Sequence, residues 1–183
     1  MTEPSRSVLI PARAGQWMQT FTGRRFWPLD PRPEDIHVED IAHALSLQCR
    51  YAGHCVNFYS VAEHCVLLAE HVADPFKRWA LLHDASEAYL VDIPRPVKGD
   101  LANYREIEAR VMAAVCERFG LPPDMPAEVA DADWRIIGDE RRNLSACESA
   151  WTNPPEPLGL QLKLMLPREA ENAFIVAFER LFA

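Results

Sequence analysis

A histidine and an aspartate, His83 and Asp84, stand side by side near the end of an apolar stretch. Two further carboxylates, Glu87 and Asp92, follow within eight residues of Asp84. Imidazole and carboxylate groups suit a divalent metal that promotes hydrolysis, and additional carboxylates nearby can transfer protons. The segment therefore predicts hydrolytic metal chemistry, provided that other parts of the chain supply the remaining ligands.

Two more candidate ligands lie in other predicted helices. His64 precedes His83 by 19 residues and is flanked by apolar side chains, and Asp133 follows Asp84 by 49 residues. Helices that face one another in a bundle can direct such side chains to a common point. However, a single histidine on an apolar face is more often a hydrogen-bonded core residue, and a single aspartate near a helix start is more often a cap. The residues alone leave both interpretations open.

Helical periodicity dominates the chain and predicts an all-α bundle with a short N-terminal extended arm or hairpin. Residues 1–17 are predicted to be a flexible leader, and residues 18–183 a single domain. Aromatic residues around a Thr-Gly turn signal indicate the arm or hairpin at residues 19–30. Helices are predicted at residues 38–50, from residue 60, at 74–89, 104–119 and 126–146, and from residue 167 onward.

Three local patterns add detail to this bundle. Ser60 and Glu63 have the spacing of a capping box, in which each side chain bonds to the other residue's backbone N–H. The prolines of the segment at 93–100 predict a loop. Residues 160–166 alternate between apolar and polar types, which predicts a short strand.

The composition is that of an ordinary globular protein and limits the classes of partner. The chain has 183 residues, 49% of them hydrophobic and 25% charged, which fits one domain with a real core. A net charge of −8 argues against binding to duplex nucleic acid or to an anionic membrane. The chain shows neither a signal peptide nor an apolar run long enough to span a bilayer, which predicts a cytoplasmic protein. The cysteines lack CxxC spacing and are predicted to be free thiols: Cys49, Cys55, Cys65, Cys116 and Cys147.

The ordered set of His64, the His83-Asp84 pair and Asp133 resembles the HD-domain metal-dependent phosphohydrolase superfamily, and in particular its small bacterial and phage-type branch related to the 5′-deoxynucleotidases. The resemblance rests on SVAEH (60–64), LLHDASEAYLVDIPRPVK (81–98) and DWRIIGDERRNL (133–144). TFTGRRFWPLDP (20–31) and LQCRYAGH (47–54) are similar to the phage-associated branch.

The resemblance implies an HD-domain helical bundle over residues 18–183 and one divalent metal ion. His64, His83, Asp84 and Asp133 would be the metal ligands. Asp133 is preferred to Asp131 because its seven-residue distance from Glu140 matches the family pattern. The identity of the ion stays open among cobalt, manganese, magnesium, zinc, iron and nickel.

The resemblance also implies roles for residues near these ligands. Glu87 and Asp92 would be catalytic, Glu87 as general acid or base and Asp92 either in proton transfer or in holding the sugar 3′-hydroxyl. From the residues alone, a surface glutamate is the commoner interpretation of Glu87, and Asp92 could be a loop or cap residue. Arg50 would bind the substrate phosphate, since a guanidinium can contact two oxygens at once, although it could instead offset a helix dipole. Tyr51 would contact the nucleoside, and Lys98, with Arg95, would be a weaker phosphate ligand.

The expected activity is hydrolysis of the phosphomonoester of (deoxy)nucleoside 5′-monophosphates, with a metal-activated water as the nucleophile. One alternative is an HD hydrolase that acts on nucleoside di- or triphosphates or on a phosphodiester. Another is an HD protein that binds nucleotides without catalysis. The expected partner is a small nucleotide; the sequence is compatible with a homodimer but does not require one, and it leaves base and sugar preference open.

Overall fold

The computed structural model describes residues 12–144, 151 and 153–183. Within these residues the protein is mainly helical, with one short antiparallel hairpin near the N-terminus. The all-α class and the N-terminal hairpin are therefore confirmed. Residues 1–11 of the predicted leader, and Cys147, lie outside the described residues; the other four cysteines are free thiols.

The hairpin pairs β1 (Met18–Gln19) with β2 (Arg25–Phe26). Phe26 is fully buried and stacks on Tyr89, with ring centroids 3.9 Å apart, which attaches the hairpin to the helices. The helices are α1 (Val38–Leu47), α2 (Val61–His71), α3 (Lys77–Leu82), α4 (Glu87–Leu90), α5 (Arg95–Lys98), α6 (Tyr104–Phe119), α7 (Ala127–Glu140) and α8 (Pro167–Phe182). Single 3-10 turns occupy Pro33–Asp35, Asp74–Phe76 and Arg141–Asn143, and a tight turn with positive φ values occupies Arg50–Gly53.

Helix α2 lies at the centre of the core. It packs against α1, α3, α7 and α8, and residues 61–69 are all buried. A helix that is buried on every side is usually apolar throughout, because a buried polar group needs a partner. Two consecutive residues of α2, Glu63 and His64, nevertheless carry ionisable groups that are fully buried. The hydrogen-bond partners of Glu63 explain two features that were not predicted correctly from the sequence.

The capping box at the start of α2 is only half present. Ser60 is the N-cap, and its hydroxyl oxygen accepts a hydrogen bond from the backbone N–H of Glu63 at 3.1 Å, as predicted. The Glu63 carboxylate does not complete the box. Its Oε1 accepts hydrogen bonds from the backbone N–H groups of Lys163 at 2.7 Å and Leu164 at 2.9 Å, and its Oε2 accepts one from Met165 at 2.7 Å.

The predicted strand at residues 160–166 is wrong for the same reason. All seven residues are described, and none lies in a strand. The N–H groups that a strand would direct to a neighbouring strand bond to the Glu63 carboxylate instead. Leu164 accordingly adopts a positive φ of 53°, which turns its N–H toward that carboxylate. Residues 160–166 therefore form an extended strap over α2.

The helix predicted at residues 74–89 is divided at the candidate metal ligands. Residues 83–86 form tight turns between α3 and α4, with hydrogen bonds to the third preceding residue, such as Glu87 N–H to Asp84 O at 2.9 Å. The predicted loop at 93–100 contains the one-turn helix α5. The helix predicted at 38–50 ends at Leu47, and the one predicted at 126–146 ends at Glu140. The helices predicted at 104–119 and from 167 are confirmed.

Helix α7 is crossed by the proline-rich connector that precedes the strap. A Cβ placed on Gly138 would lie 2.8 Å from the carbonyl oxygen of Pro155 and 2.9 Å from Cα of Pro157. Only a glycine permits such a close approach of the two backbones. None of the described helices combines the length and the apolar character that a membrane-spanning segment requires.

Candidate metal centre

Four side chains from three parts of the fold converge on one point. His64 comes from α2, His83 and Asp84 from the turns after α3, and Asp133 from α7. The His64 Nε2 atom lies 3.2 Å from His83 Nε2, 3.3 Å from Asp133 Oδ1 and 3.6 Å from Asp84 Oδ2. The His83 Nε2 atom lies 3.2 Å from Asp84 Oδ2 and 3.8 Å from Asp133 Oδ1.

These separations match those of ligands around one ion. Nitrogen and oxygen ligands about 2.1 Å from a metal lie about 3.0–3.4 Å from one another in octahedral or tetrahedral geometry. The measured range of 3.2 to 3.8 Å reaches this geometry with small side-chain movements. The cluster of His64, His83, Asp84 and Asp133 can therefore hold a metal ion.

The orientation of both imidazole rings supports the same conclusion. His64 Nδ1 donates a hydrogen bond to Glu140 Oε1 at 2.8 Å, and His83 Nδ1 donates one to the carbonyl oxygen of Ala80 at 2.8 Å. These acceptors fix the proton on Nδ1 and leave each Nε2 directed at the other, 3.2 Å away. Two facing lone pairs repel unless a proton or a metal cation lies between them. Imidazoles held in this way are typical of metal ligands.

The two aspartates of the cluster are held in their ionised form. Burial by itself would raise the pKa of Asp84, but the charges of His83, His64 and Arg50 outweigh burial and lower that pKa to about 2. Burial opposes ionisation of Asp133 as well, but histidine rings that carry a second proton on Nε2 in the metal-free site donate hydrogen bonds to Asp133 and bring its pKa well below the usual value. Ionised carboxylates are the form that binds a cation.

Glu140 connects the cluster to a neighbouring turn. Its side chain is fully buried, and it lies two helical turns after Asp133 on the same face of α7. Oε1 accepts the hydrogen bond from His64, while Oε2 accepts hydrogen bonds from Arg50 at 3.2 Å and from the Tyr51 hydroxyl at 2.5 Å. Burial would raise its pKa, but the charges of Arg50 and His64 hold that pKa below the usual range. This role of Glu140 was not predicted from the sequence, although its seven-residue distance from Asp133 was an available signal.

Arg50 and Tyr51, the predicted substrate-binding residues, lie in this turn beside the metal ligands. Tyr51, Ala52 and Gly53 have positive φ values of 56°, 51° and 82°, a left-handed turn that costs about 1–2 kcal/mol for each non-glycine residue. The Arg50 side chain is only 12% exposed and lies 3.7 Å from Asp84. Among the described residues, its buried Nε has no hydrogen-bond partner. The turn thus directs a buried cation toward the cluster.

Glu87 and Asp92, the predicted catalytic residues, lie close enough to Asp84 and Arg50 for their charges to interact. Glu87 is buried, so it is not a surface residue; burial, with the charges of Asp84 and Asp92, raises its pKa to about 9. Its Oε2 has no hydrogen-bond partner within the part of the chain that the structure describes. Asp92 is half-buried, and burial raises its pKa as well. A protonated carboxyl group and an ionised cluster therefore lie close together.

The helix α5 brings two cations to the cluster. Lys98, a predicted substrate ligand, has its Nζ 2.5 Å from Glu108 Oε1 and 4.0 Å from Glu87 Oε1. Arg95 donates a hydrogen bond to Asp133 Oδ2 at 2.7 Å, while the other oxygen of Asp133 faces the histidines. Asp131, the rejected alternative ligand, is exposed and pairs with Arg135 on the surface.

Two bacterial proteins have sequences similar to that of this chain. The chain is 44% identical over 128 residues to the uncharacterized protein YfdR of Escherichia coli (strain K12), and the match covers 70% of this chain and 72% of that protein. It is 38% identical over 179 residues to an uncharacterized protein of Rhodobacter capsulatus, RCAP_rcc00048, and this match covers 86% of this chain and 91% of that protein. No protein-family model matches the sequence.

Proposed function

The chain belongs to the family of YfdR and RCAP_rcc00048, and we propose that it is a metal-dependent phosphohydrolase of nucleoside 5′-monophosphates, deoxynucleotides included. The observation that carries the proposal is the convergence of four ligand atoms with both Nδ1 protons bound elsewhere. The resemblance of the ordered ligand set to HD-domain phosphohydrolases supports both the reaction and an HD-type bundle.

The proposed cofactor is one divalent ion. Two imidazoles and two carboxylates form a mixed nitrogen and oxygen set, which suits manganese, iron, cobalt, nickel or zinc and is less typical of magnesium. When bound, such an ion polarises a phosphoryl oxygen and lowers the pKa of a water molecule. The remaining chemistry falls to the side chains around the cluster.

Arg50 is the proposed phosphate ligand. Its guanidinium is buried, lies within 4 Å of Asp84 and keeps one N–H without a partner among the described residues. A buried N–H donor requires an acceptor, and a phosphoryl oxygen is a strong one. The fixed positive charge would stabilise the negative charge that develops on the phosphoryl oxygens during transfer. Glu140 and Tyr51 keep the guanidinium in place for this task.

Glu87 is the proposed general acid. Burial favours its protonated form at neutral pH, so it holds a proton that it can donate to the leaving 5′-oxygen of the nucleoside. Asp92 is the second candidate for this transfer, or the acceptor of a hydrogen bond from the sugar 3′-hydroxyl. Lys98 pairs with Glu108 and contacts phosphate only if it leaves Glu108. Tyr51 contacts the nucleoside only through its ring, since its hydroxyl binds Glu140.

One observation favours a second substrate class, the nucleoside di- and triphosphates. Arg95 and Lys98 lie one helical turn apart on α5, and Arg95 is 56% exposed beside Asp133. Two cations near the cluster suit a substrate with additional phosphate groups. Products distinguish the classes, because a triphosphate substrate gives inorganic pyrophosphate, triphosphate or a nucleoside diphosphate, whereas a monophosphate gives only phosphate and nucleoside.

The test is phosphate release from a panel of ribo- and deoxynucleotides after chelation and re-addition of single metals. We expect release from 5′-monophosphates that depends on metal. Asp133→Asn should reduce bound metal from about one ion per chain to a small fraction and reduce turnover by roughly 10³-fold or more. The matched control is Asp131→Asn, two residues away and exposed, which should behave as the wild type. Equal metal binding by both variants would overturn the proposed centre, and metal-loaded protein without phosphate release would overturn the proposed reaction.

A further inference from the structure

Val91 has a backbone conformation that valine rarely adopts. Its φ is 71° and its ψ is 148°, a region that is populated almost only by glycine. The side chain is 59% exposed, so burial of the valine does not offset the cost of this conformation. The surrounding structure must therefore impose it. Val91 lies between the two proposed proton-transfer residues, after the helix that carries Glu87 and directly before Asp92.

The side chain of Gln48 spans this turn. Its Nε2 donates a hydrogen bond to the carbonyl oxygen of Glu87 at 3.0 Å, and its Oε1 accepts one from the backbone N–H of Asp92 at 2.9 Å. A primary amide carries a donor and an acceptor on neighbouring atoms, so the one side chain of Gln48 can make both bonds. Two shorter-range contacts complete the enclosure, because Val91 N–H bonds to Glu87 O at 2.8 Å and the Tyr104 hydroxyl bonds to Val91 O at 3.2 Å.

Gln48 is itself fixed to the metal-binding part of the fold. It is the C-cap residue of α1, and its carbonyl oxygen accepts the backbone N–H of Val61 at 3.0 Å, at the start of the helix that carries His64. One residue thus joins the end of α1, the beginning of α2 and the turn around Val91. A movement of that turn relative to the metal ligands requires the loss of at least one of these bonds.

We propose that Gln48 is a positioning residue for Glu87 and Asp92. Its amide holds Val91 in the positive-φ conformation, and this conformation fixes the direction of the two carboxyl groups relative to the metal ligands. The part of the inference that concerns turnover rests on the proposed function. The part that concerns the turn rests only on the hydrogen bonds and on the conformation of Val91. Without the amide, Val91 relaxes toward negative φ and rotates the peptide that carries Asp92.

The experiment combines Gln48→Met, Val91→Gly and the double variant. Methionine has nearly the length of glutamine but makes neither hydrogen bond, and glycine adopts the conformation of residue 91 without strain. Val176→Gly is the matched control, because Val176 is also exposed, at 64%, but lies within α8. The readouts are the thermal midpoint, metal content, kcat and KM, and the pH profile of kcat/KM.

The two valine-to-glycine changes should have opposite signs. We expect Val91→Gly to raise the thermal midpoint by roughly 1–4 °C, since it removes strain. Val176→Gly should lower the midpoint by roughly 1–4 °C, since glycine weakens a helix. If Val91→Gly lowers the midpoint as Val176→Gly does, the turn is not strained and the inference fails.

The catalytic effect of Gln48→Met should depend on residue 91. With valine at residue 91, we expect Gln48→Met to lower kcat roughly 10- to 100-fold, because Glu87 and Asp92 are misplaced. KM should change less than about threefold, and the metal content should stay the same. The pH profile of kcat/KM should shift with kcat, which a loss of folded protein alone would not produce. In the Val91→Gly protein, Gln48→Met should lower kcat by less than about threefold. It should also lower the thermal midpoint by less than it does in the wild type. Equal losses in both backgrounds would overturn the inference.

The outcome separates this inference from the proposed function. If the wild-type protein releases no phosphate from any nucleotide, the proposed function fails, and the part of the inference about turnover fails with it. The thermal midpoints of the four proteins still decide whether Gln48 imposes the conformation of Val91. If the wild type is active and the two substitutions are additive, only the inference about Gln48 fails.

Discussion

Glu63, in α2, and Glu140, at the end of α7, are both fully buried carboxylates, yet their partners differ in kind. Glu63 accepts hydrogen bonds from three consecutive backbone N–H groups of the strap. Glu140 accepts hydrogen bonds from three side chains, those of His64, Arg50 and Tyr51. Backbone donors keep their protons at every pH, and these three are occupied by the Glu63 carboxylate. Side-chain donors can also bind a metal or a substrate, so the same buried charge serves structure in one region and chemistry in the other.

The largest effect on stability is expected from Glu63→Gln. The amide keeps one acceptor oxygen but directs an NH2 group at backbone N–H donors, which leaves them unpaired in the core. We expect the free energy of unfolding, measured by urea titration, to fall by about 3 kcal/mol. Metal affinity of the folded protein should change less than about twofold. If Glu63→Gln lowers metal affinity strongly and leaves the free energy of unfolding unchanged, the proposed difference between Glu63 and Glu140 is wrong.

Glu140→Gln is expected to show the reverse pattern. His64 loses the carboxylate that orients its ring, and Arg50 loses a charged partner. We expect metal affinity, measured by competition with a chromophoric chelator, to fall roughly 10- to 100-fold. The loss in unfolding free energy of the metal-free protein should be smaller than that of Glu63→Gln. If Glu140→Gln leaves metal affinity unchanged, Glu140 does not serve the metal site, and the proposed difference from Glu63 is wrong.

Glu87 gives the corresponding prediction for pH. Because its folded-state pKa is raised to about 9, the folded protein keeps a proton that the unfolded chain releases above about pH 4.5. The stability linked to this proton is complete below that pH and is lost as the pH rises toward 9. Glu87→Gln is neutral at every pH. In protein freed of metal by chelation, we expect the free energy of unfolding of Glu87→Gln to exceed that of the wild type by about 1–2 kcal/mol at pH 8. Most of this difference should disappear near pH 5. If the unfolding free energies of the variant and the wild type differ by the same amount at pH 5 and pH 8, the raised pKa of Glu87 is wrong.

The smallest effect is expected from Tyr51→Phe. The change removes one of three donors to Glu140 and leaves His64 and Arg50 in place. We expect a loss of about 1 kcal/mol in unfolding free energy, the usual value for one hydrogen bond to a buried group. Metal affinity should stay within about threefold of the wild type. A loss as large as that of Glu140→Gln would mean that Tyr51, rather than the carboxylate, orients the site.

The sequence predicted those parts of the fold that depend on near neighbours. Periodic apolar residues and the glycine cap at Gly120 were sufficient for α6, and the proline at residue 167 for the start of α8. The strap and the division between α3 and α4 depend on contacts between distant residues. Lys163 lies 100 residues after the carboxylate to which it donates, so the alternation of residues 160–166 carried no information about that partner.

The candidate site shows the same limit. His64, His83 and Asp84 were noticeable because ionisable residues are unusual among apolar neighbours, but the complete ligand set with Asp133 followed only from the resemblance to HD-domain phosphohydrolases. Glu140 was not noticeable, because a glutamate near a helix end is ordinarily exposed, and its partners lie 76 to 90 residues away. Gln48 and Val91 were missed because an amide side chain and a strained valine have no characteristic spacing.

The long distance between Glu63 and the strap also affects how the protein forms during synthesis on the ribosome. The helix that contains Glu63 leaves the exit tunnel about 100 residues before Lys163, so its carboxylate must remain hydrated while the intervening helices assemble. Helix α2 therefore cannot enter the core in its final form until the strap has been translated. Helix α8, which also packs on α2, follows the strap in the chain, so the central helix cannot be fully buried until both segments have been made.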